Sequence, residues 1–201
     1  MGAHGGSFLV EPEPTPAVED FYAGDLDGQG YVMNLTRLWA HVPEAQHLLS
    51  QVLEAVTDAG GLTFRQRAVL VAATAGELGD SYCALAWGTR LAAEVGDGVA
   101  AGVLRGDDSG LDEADRAMAG WARRVCADPN GTGAEDVDVL RRAGFDDRQI
   151  FCITTFVALR RAFSTVNDAL GARPDAELVT AAPEEVAAAV TFGRPPMAPG
   201  D

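Results

Sequence analysis

Helix punctuation runs the length of this sequence. Pro43 opens a segment whose Leu48, Leu49, Val52, Leu53 and Val56 fall on one helical face, and Gly60-Gly61 closes it. Thr63 with Gln66 makes a capping box for a helix running to about Leu78. Asp80 is the N-cap of a helix from Ser81 to about Val95, closed by Gly96. Asp112 with Asp115 starts a helix carrying Met118, Trp121, Ala122 and Val125, and Thr132 with Glu135 caps another that Gly144 stops. Asp146 with Gln149 begins the longest, whose Ile150, Ile153, Val157 and Val166 lead to Leu170-Gly171. Pro183 and Glu184 open a last short helix before Gly193. No stretch alternates as a strand does, and no hairpin dipeptide separates β-branched runs. The expected fold class is all-α. Local signals that agree along the chain are themselves evidence of foldability.

With 201 residues, 47% of them hydrophobic, the chain has enough apolar surface for one sizeable core. Residues 1–16 carry Gly, Pro and Glu without periodicity and read as a flexible tail. Residues 17–193 form the helical domain, and 194–201 a second tail. No run of about 18 uncharged apolar residues occurs, so no membrane span is expected. The opening MGAHGGSF lacks the basic start and apolar stretch of a secretory signal, which makes the cytoplasm the expected compartment.

The charge balance removes several functions. Net charge is −15, which disfavours nucleic acid as a partner. All 15 basic residues are arginine, and a chain without lysine cannot run a Schiff-base or pyridoxal-phosphate reaction or build a phosphate-loop lysine. His4, His41 and His47 do not pair at i,i+3 or i,i+4, so no helical metal site is expected. Cys83, Cys126 and Cys152 show neither C-x-x-C nor zinc spacing, and an odd number argues against a disulfide framework. No cofactor is implied.

Several stretches, in order, resemble the alkylhydroperoxidase D / carboxymuconolactone decarboxylase family. Gly30-Tyr31-Val32-Met33-Asn34-Leu35 with Ala40-His41-Val42-Pro43-Glu44 is similar to its entry segment, and Leu62 to Arg67 to the start of its first core helix. Asp80-Ser81-Tyr82-Cys83 stands where redox members carry their cysteine pair. Leu111 to Arg116 and Ala143 to Ile150 resemble the second half, and Phe163 to Gly171 the long closing helix. The resemblance implies a helical bundle working as a homo-oligomer (trimer, hexamer or dimer) on a small molecule. It also shows what is altered. The positions of the family's glutamate, first cysteine, second cysteine and histidine hold Ala68, Asp80, Cys83 and Trp87. Only the cysteine that attacks peroxide in such enzymes is kept.

Cys83 is therefore the expected nucleophile, with Asp80 or Glu77 as base. Tyr82, Trp87, Asn167 and Arg160 are the expected substrate-binding residues. Two effects on the thiol oppose each other. The N-terminus of a helix favours a thiolate at Cys83, and the Asp80 carboxylate repels one; the sequence does not rank them. Each residue also has a plainer role: Asp80 as a cap, Cys83, Cys126 and Cys152 as packing, Tyr82 and Trp87 as core, Arg160 and Arg161 as interface salt bridges. Three functions follow. The first is a peroxidase-like enzyme that turns a hydroperoxide over at Cys83 and is reduced by an external thiol or, less directly, by Cys152. The second is a lyase, isomerase or other tailoring enzyme on a small organic acid, with Asp80 or Glu77 as base and an arginine as clamp. The third is a non-catalytic family member.

Overall fold

The structure is a computed structural model that describes residues 6–198. Eleven α-helices and one 3-10 turn follow one another, with no strand among the described residues. They are α1 (Pro16–Gln29), α2 (Asn34–Trp39), α3 (Pro43–Gly60), α4 (Phe64–Leu78), α5 (Ser81–Val95) and α6 (Asp97–Leu104). After these come α7 (Glu113–Ala127), the 3-10 turn Pro129–Gly131, α8 (Ala134–Arg142), α9 (Asp147–Ala169), α10 (Ala176–Ala181) and α11 (Glu184–Ala189). The all-α class read from the sequence is what the chain adopts.

The caps explain most boundaries. Thr63 and Gln66 close a reciprocal box on α4, and Asp146 with Gln149 does the same on α9. Asp80 and Asp112 each accept a backbone N–H three residues on. One expected cap is displaced. The Thr132 hydroxyl donates to the Pro129 carbonyl and closes the 3-10 turn, so α8 begins one residue later, with Asp136 accepting from the Gly133 N–H. The segments expected to be tails are tied down over most of their described length. Phe8 N–H donates to the Leu170 carbonyl, Arg173 N–H to the Gly6 carbonyl, and Met197 N–H to the Pro174 carbonyl.

Helix α4 is the centre, contacting α5, α6, α7 and α9. Its residues Ala68 to Ala75 are buried without a break, which is more than two full turns of circumference. That apolar circumference is covered within a single chain and does not call for a partner. The apolar face expected on α3 divides: Leu49, Leu53 and Val56 pack on the core, whereas Leu48 and Val52 stay exposed. Helix α9 likewise keeps Phe151 exposed.

Surrounding one helix on all sides requires close approach. A Cβ on Gly76 would lie 2.6 Å from the Leu104 backbone oxygen, so α6 crosses α4 where there is no side chain to hold it off. Gly120 on α7 is the contrast, because a Cβ there meets nothing within 4 Å. Gly76→Ala should cost about 1–3 kcal/mol of stability through overpacking. Gly120→Ala should gain roughly 0.5–1 kcal/mol from helix propensity. Urea melts of the two variants check both signs.

Candidate functional site

Two stripes of side chains make the site. On α5, Asp80, Cys83, Trp87 and Arg90 recur every three or four residues from the cap onward, and on α9 Arg160, Phe163, Ser164 and Asn167 do the same. The stripes meet at Cys83. Arg160 Nη2 lies 3.3 Å from Cys83 Sγ, and Ser164 Oγ lies 4.0 Å from it. Gly79, in the left-handed conformation, ends α4 and lets Asp80 cap α5 at once. Asp80 is completely buried; its Oδ1 accepts the Cys83 N–H at 2.9 Å, and its Oδ2 has no partner.

The competition left open by the sequence is decided here. Burial, followed by the Asp80 charge, pushes the Cys83 thiol well above the usual cysteine range, with Arg160 pulling the other way. The helix N-terminus does not prevail. Cys83 is 2% exposed, and the half-buried Arg160 stands against its sulfur with Trp87 beside that arginine.

Aromatic rings hold the arginines. Arg160 lies over Phe163 at 4.8 Å and over Trp87 at 5.5 Å, and Arg90 over Trp87 at 4.8 Å. Phe163 is stacked on Trp39 (centroids 5.3 Å apart), whose indole N–H donates to Asn167 Oδ1 at 2.8 Å. The route from Asn167 to the sulfur thus passes through Trp39 and Phe163.

Of the expected residues, Cys83, Asp80, Arg160 and Trp87 come together, and Asn167 braces their wall. Glu77 does not join them. It is exposed in the last turn of α4, before Gly79, and lines a separate hollow with Arg105, Arg123 and Phe192. Tyr82 also points away. Its hydroxyl donates to buried Asp175, which in turn accepts the Asn34 N–H, and its ring packs with Leu38 and Ala172. An i−1 neighbour of Cys83 on a helix is rotated by about 100°, which is why adjacency in sequence misled. Cys126 and Cys152 are buried free thiols. Cys152 sits eight residues from Arg160 on α9, roughly 12 Å along the axis. His41 and His47 are exposed on the outside, and His4 lies outside the described residues.

Ser164, Phe163, Trp39 and Asp168 were not anticipated. The α9 stripe, spaced like the α5 one, was the available signal for the first two. Asp168 stands near Asp80, and burial and then the Asp80 charge push its carboxyl up to about 7, with Arg194 opposing.

The chain is similar to several solved structures. A peroxidase-related protein with an alkylhydroperoxidase AhpD core, from Ralstonia eutropha, is 27% identical. It covers 88% of this chain and 96% of its own, with a TM-score of 0.73. A peroxidase-related protein from Silicibacter is 19% identical over 86% of this chain and 94% of its own, also at 0.73. The debrominase Bmp8 is 16% identical over 89% and 97%, at 0.69. A cysteine-to-alanine variant of Bmp8 is known in complex with 2,3,4-tribromopyrrole. No family model matches the sequence, and no curated protein matches it.

The raised Asp168 gives a testable pH dependence. Its folded state holds the proton more tightly than the unfolded chain, so stability falls as pH rises from the unfolded value near 3.9 through about 7. Above that window the penalty is complete. Asp168→Asn should therefore melt higher than the parent at pH 8 and close to it at pH 4, as thermal melts at both pH values would show.

Proposed function

We propose that this chain, which has the alkylhydroperoxidase-D-like fold, is a thiol-dependent, peroxidase-like oxidoreductase with Cys83 as nucleophile. Asp80 carries the proton and Arg160 steadies the sulfur anion. The observation behind this reading is the Arg160 guanidinium 3.3 Å from Cys83 Sγ, on a helix whose cap carboxylate keeps one oxygen free. The peroxidase-related descriptions of two neighbours of the same fold agree with it.

The chemistry follows from these groups. The resting thiol stays protonated because its site is buried and negatively charged on the Asp80 side. When a hydroperoxide enters past Trp87 and Arg160, Asp80 takes the thiol proton and the sulfur attacks the terminal peroxide oxygen. The S–O bond forms, the O–O bond breaks, and the leaving alkoxide takes the proton from Asp80. The products are an alcohol and a Cys83 sulfenic acid. Neither Cys126 nor Cys152 is hydrogen-bonded to Cys83, so an external thiol condenses with the sulfenic acid, releasing water. A second external thiol then reduces the mixed disulfide.

A second reading rests on a different observation. The free Asp80 Oδ2 and the raised Asp168 suit acid–base chemistry on a small organic acid clamped by Arg160, with Cys83 as packing. We also propose a cytoplasmic homo-oligomer, for which the exposed Phe151, Leu48 and Val52 offer apolar surface. No helix among the described residues is long and apolar enough to cross a membrane.

Peroxide treatment with a sulfenic-acid trap, mapped by mass spectrometry, should label Cys83 and spare Cys126 and Cys152. Cys83→Ser should abolish peroxide turnover with little change in melting temperature. Asp80→Asn separates two roles of one residue: alkylation of Cys83 should speed up as the repulsive charge goes, while peroxide turnover slows as the proton carrier goes. If Cys83 alkylates only on unfolding and Cys83→Ser chiefly costs stability, the thiol reading fails. Loss of an organic-acid reaction in Asp80→Asn, with Cys83→Ser still active, would establish the second.

A further inference from the structure

A hydroxyl inside a helix has a carbonyl within reach four residues back, and five threonines of this chain use it. Thr89, Thr154, Thr155, Thr165 and Thr180 each donate to that carbonyl. Ser164, inside α9, does not. It is 2% exposed, and the hydrogen bond its hydroxyl makes among the described residues runs across to Cys83 Sγ, 4.0 Å away. A thiol is a weak acceptor, so a buried hydroxyl aimed at one is poorly satisfied while the sulfur keeps its proton. Alanine would form the better helix here and bury no hydroxyl. The contact gains strength when the sulfur becomes an anion, since a charged acceptor draws a donor closer and holds it about twice as strongly.

Arg160 is the other donor, one turn earlier on the same face of α9 and 3.3 Å from the sulfur. Burial and then the Asp80 charge raise the Cys83 thiol, while Arg160 and, less strongly, Ser164 lower it. The two donors differ in freedom. Arg160 is a long, half-buried side chain resting on Phe163 and Trp87, and it stands in the path by which a hydroperoxide is proposed to enter. A peroxide oxygen that reaches the sulfur displaces it at least in part. The Ser164 oxygen is one bond from Cβ on a buried turn of helix and cannot withdraw. We infer that Ser164 is a catalytic residue of the thiol reaction, donating to the Cys83 sulfur as the thiol proton passes to Asp80 and keeping that bond while Arg160 gives way. The inference rests on the thiol reading for turnover, but not for the ionisation of Cys83. Ser164 keeps its own proton throughout. The sulfur supplies the electron pair of the S–O bond and the alkoxide leaves with the Asp80 proton, so no further reactant is needed. A hydrogen bond of this kind is long in the resting state and tightens as charge develops.

The experiment follows Cys83 by mass spectrometry in the full-length protein, with iodoacetamide as the alkylating probe between about pH 7 and pH 9. Turnover is measured with cumene hydroperoxide and a small external thiol. Ser164→Ala should slow alkylation at every pH by roughly three- to tenfold, the worth of one hydrogen bond to a charged group. It should lower kcat/KM for the hydroperoxide by a similar factor. Its melting temperature should equal or exceed the parent's, because alanine is the better helix former. A widened path to the sulfur would speed alkylation, so slowing reports ionisation and not access. Thr165→Ala is the control: its hydroxyl is bonded back to the Arg161 carbonyl, and both rates should match the parent's. Alkylation of Ser164→Ala at the parent's rate or faster, or equal slowing in Thr165→Ala, overturns the assignment. So does a Ser164→Ala variant that loses its fold or melts well below the parent, which makes Ser164 a packing residue. Failure of the thiol reading shows elsewhere, as no sulfenic acid at Cys83 in the unmutated protein, and leaves the slower alkylation of Ser164→Ala intact.

Discussion

Enclosure of α4 from Ala68 to Ala75 is the constraint on which the rest of the structure depends. A helix covered on every side must be apolar around its whole circumference, yet narrow enough for four neighbours to reach it. The run Ala68-Val69-Leu70-Val71-Ala72-Ala73 meets both conditions, with alanines interleaved among β-branched and branched side chains. Gly76 meets the second at the α6 crossing, where the Leu104 carbonyl occupies the space of a Cβ. Ala68 in this run is completely buried, and an ionised carboxylate at that position would need a partner that the apolar surroundings do not offer.

From this centre the site is placed by a single turn. The buried helix ends at Gly79, and the chain reverses into α5 within one residue. The cap residue therefore falls inside the protein instead of on its rim. Asp80 satisfies one backbone donor at the start of α5, and its burial gives the remaining oxygen an effect on Cys83 that a solvent-exposed cap would not have. Helix capping and the raised Cys83 thiol thus share a side chain.

The fold was legible because helix boundaries are local. Thr63, Asp80, Asp112 and Asp146 each act within three residues, so the sequence shows them without knowledge of packing. Where two local options compete, as at Thr132 against Gly133, the loser is decided by the turn before it. The site was legible only in part. The structure brings Cys83, Asp80, Trp87 and Arg160 together: the first three share the spacing of one helix, and Arg160 stands out in the sequence as a charge interrupting an apolar helix. Glu77 and Tyr82 were misplaced, because the first lies across the Gly79 turn and the second faces Asp175.

Charge around Cys83 is sorted along the two helices. Asp80 begins α5 and Asp168 nearly ends α9, while Arg90 and Arg160 lie farther along α5 and earlier on α9. Asp168 and Arg160, eight residues apart, are separated by roughly 12 Å along their helix. Asp80 and Asp168 therefore lie toward one end and Arg160 and Arg90 toward the other, with Arg194 beside Asp168. Elsewhere the chain brings opposite charges into contact, as in Arg123–Asp108 and Arg65–Asp115. Here burial first, and like charge second, push Asp168 up and Arg90 down. The raised Cys83 thiol has the same first cause, burial, with the Asp80 charge second and Arg160 opposing.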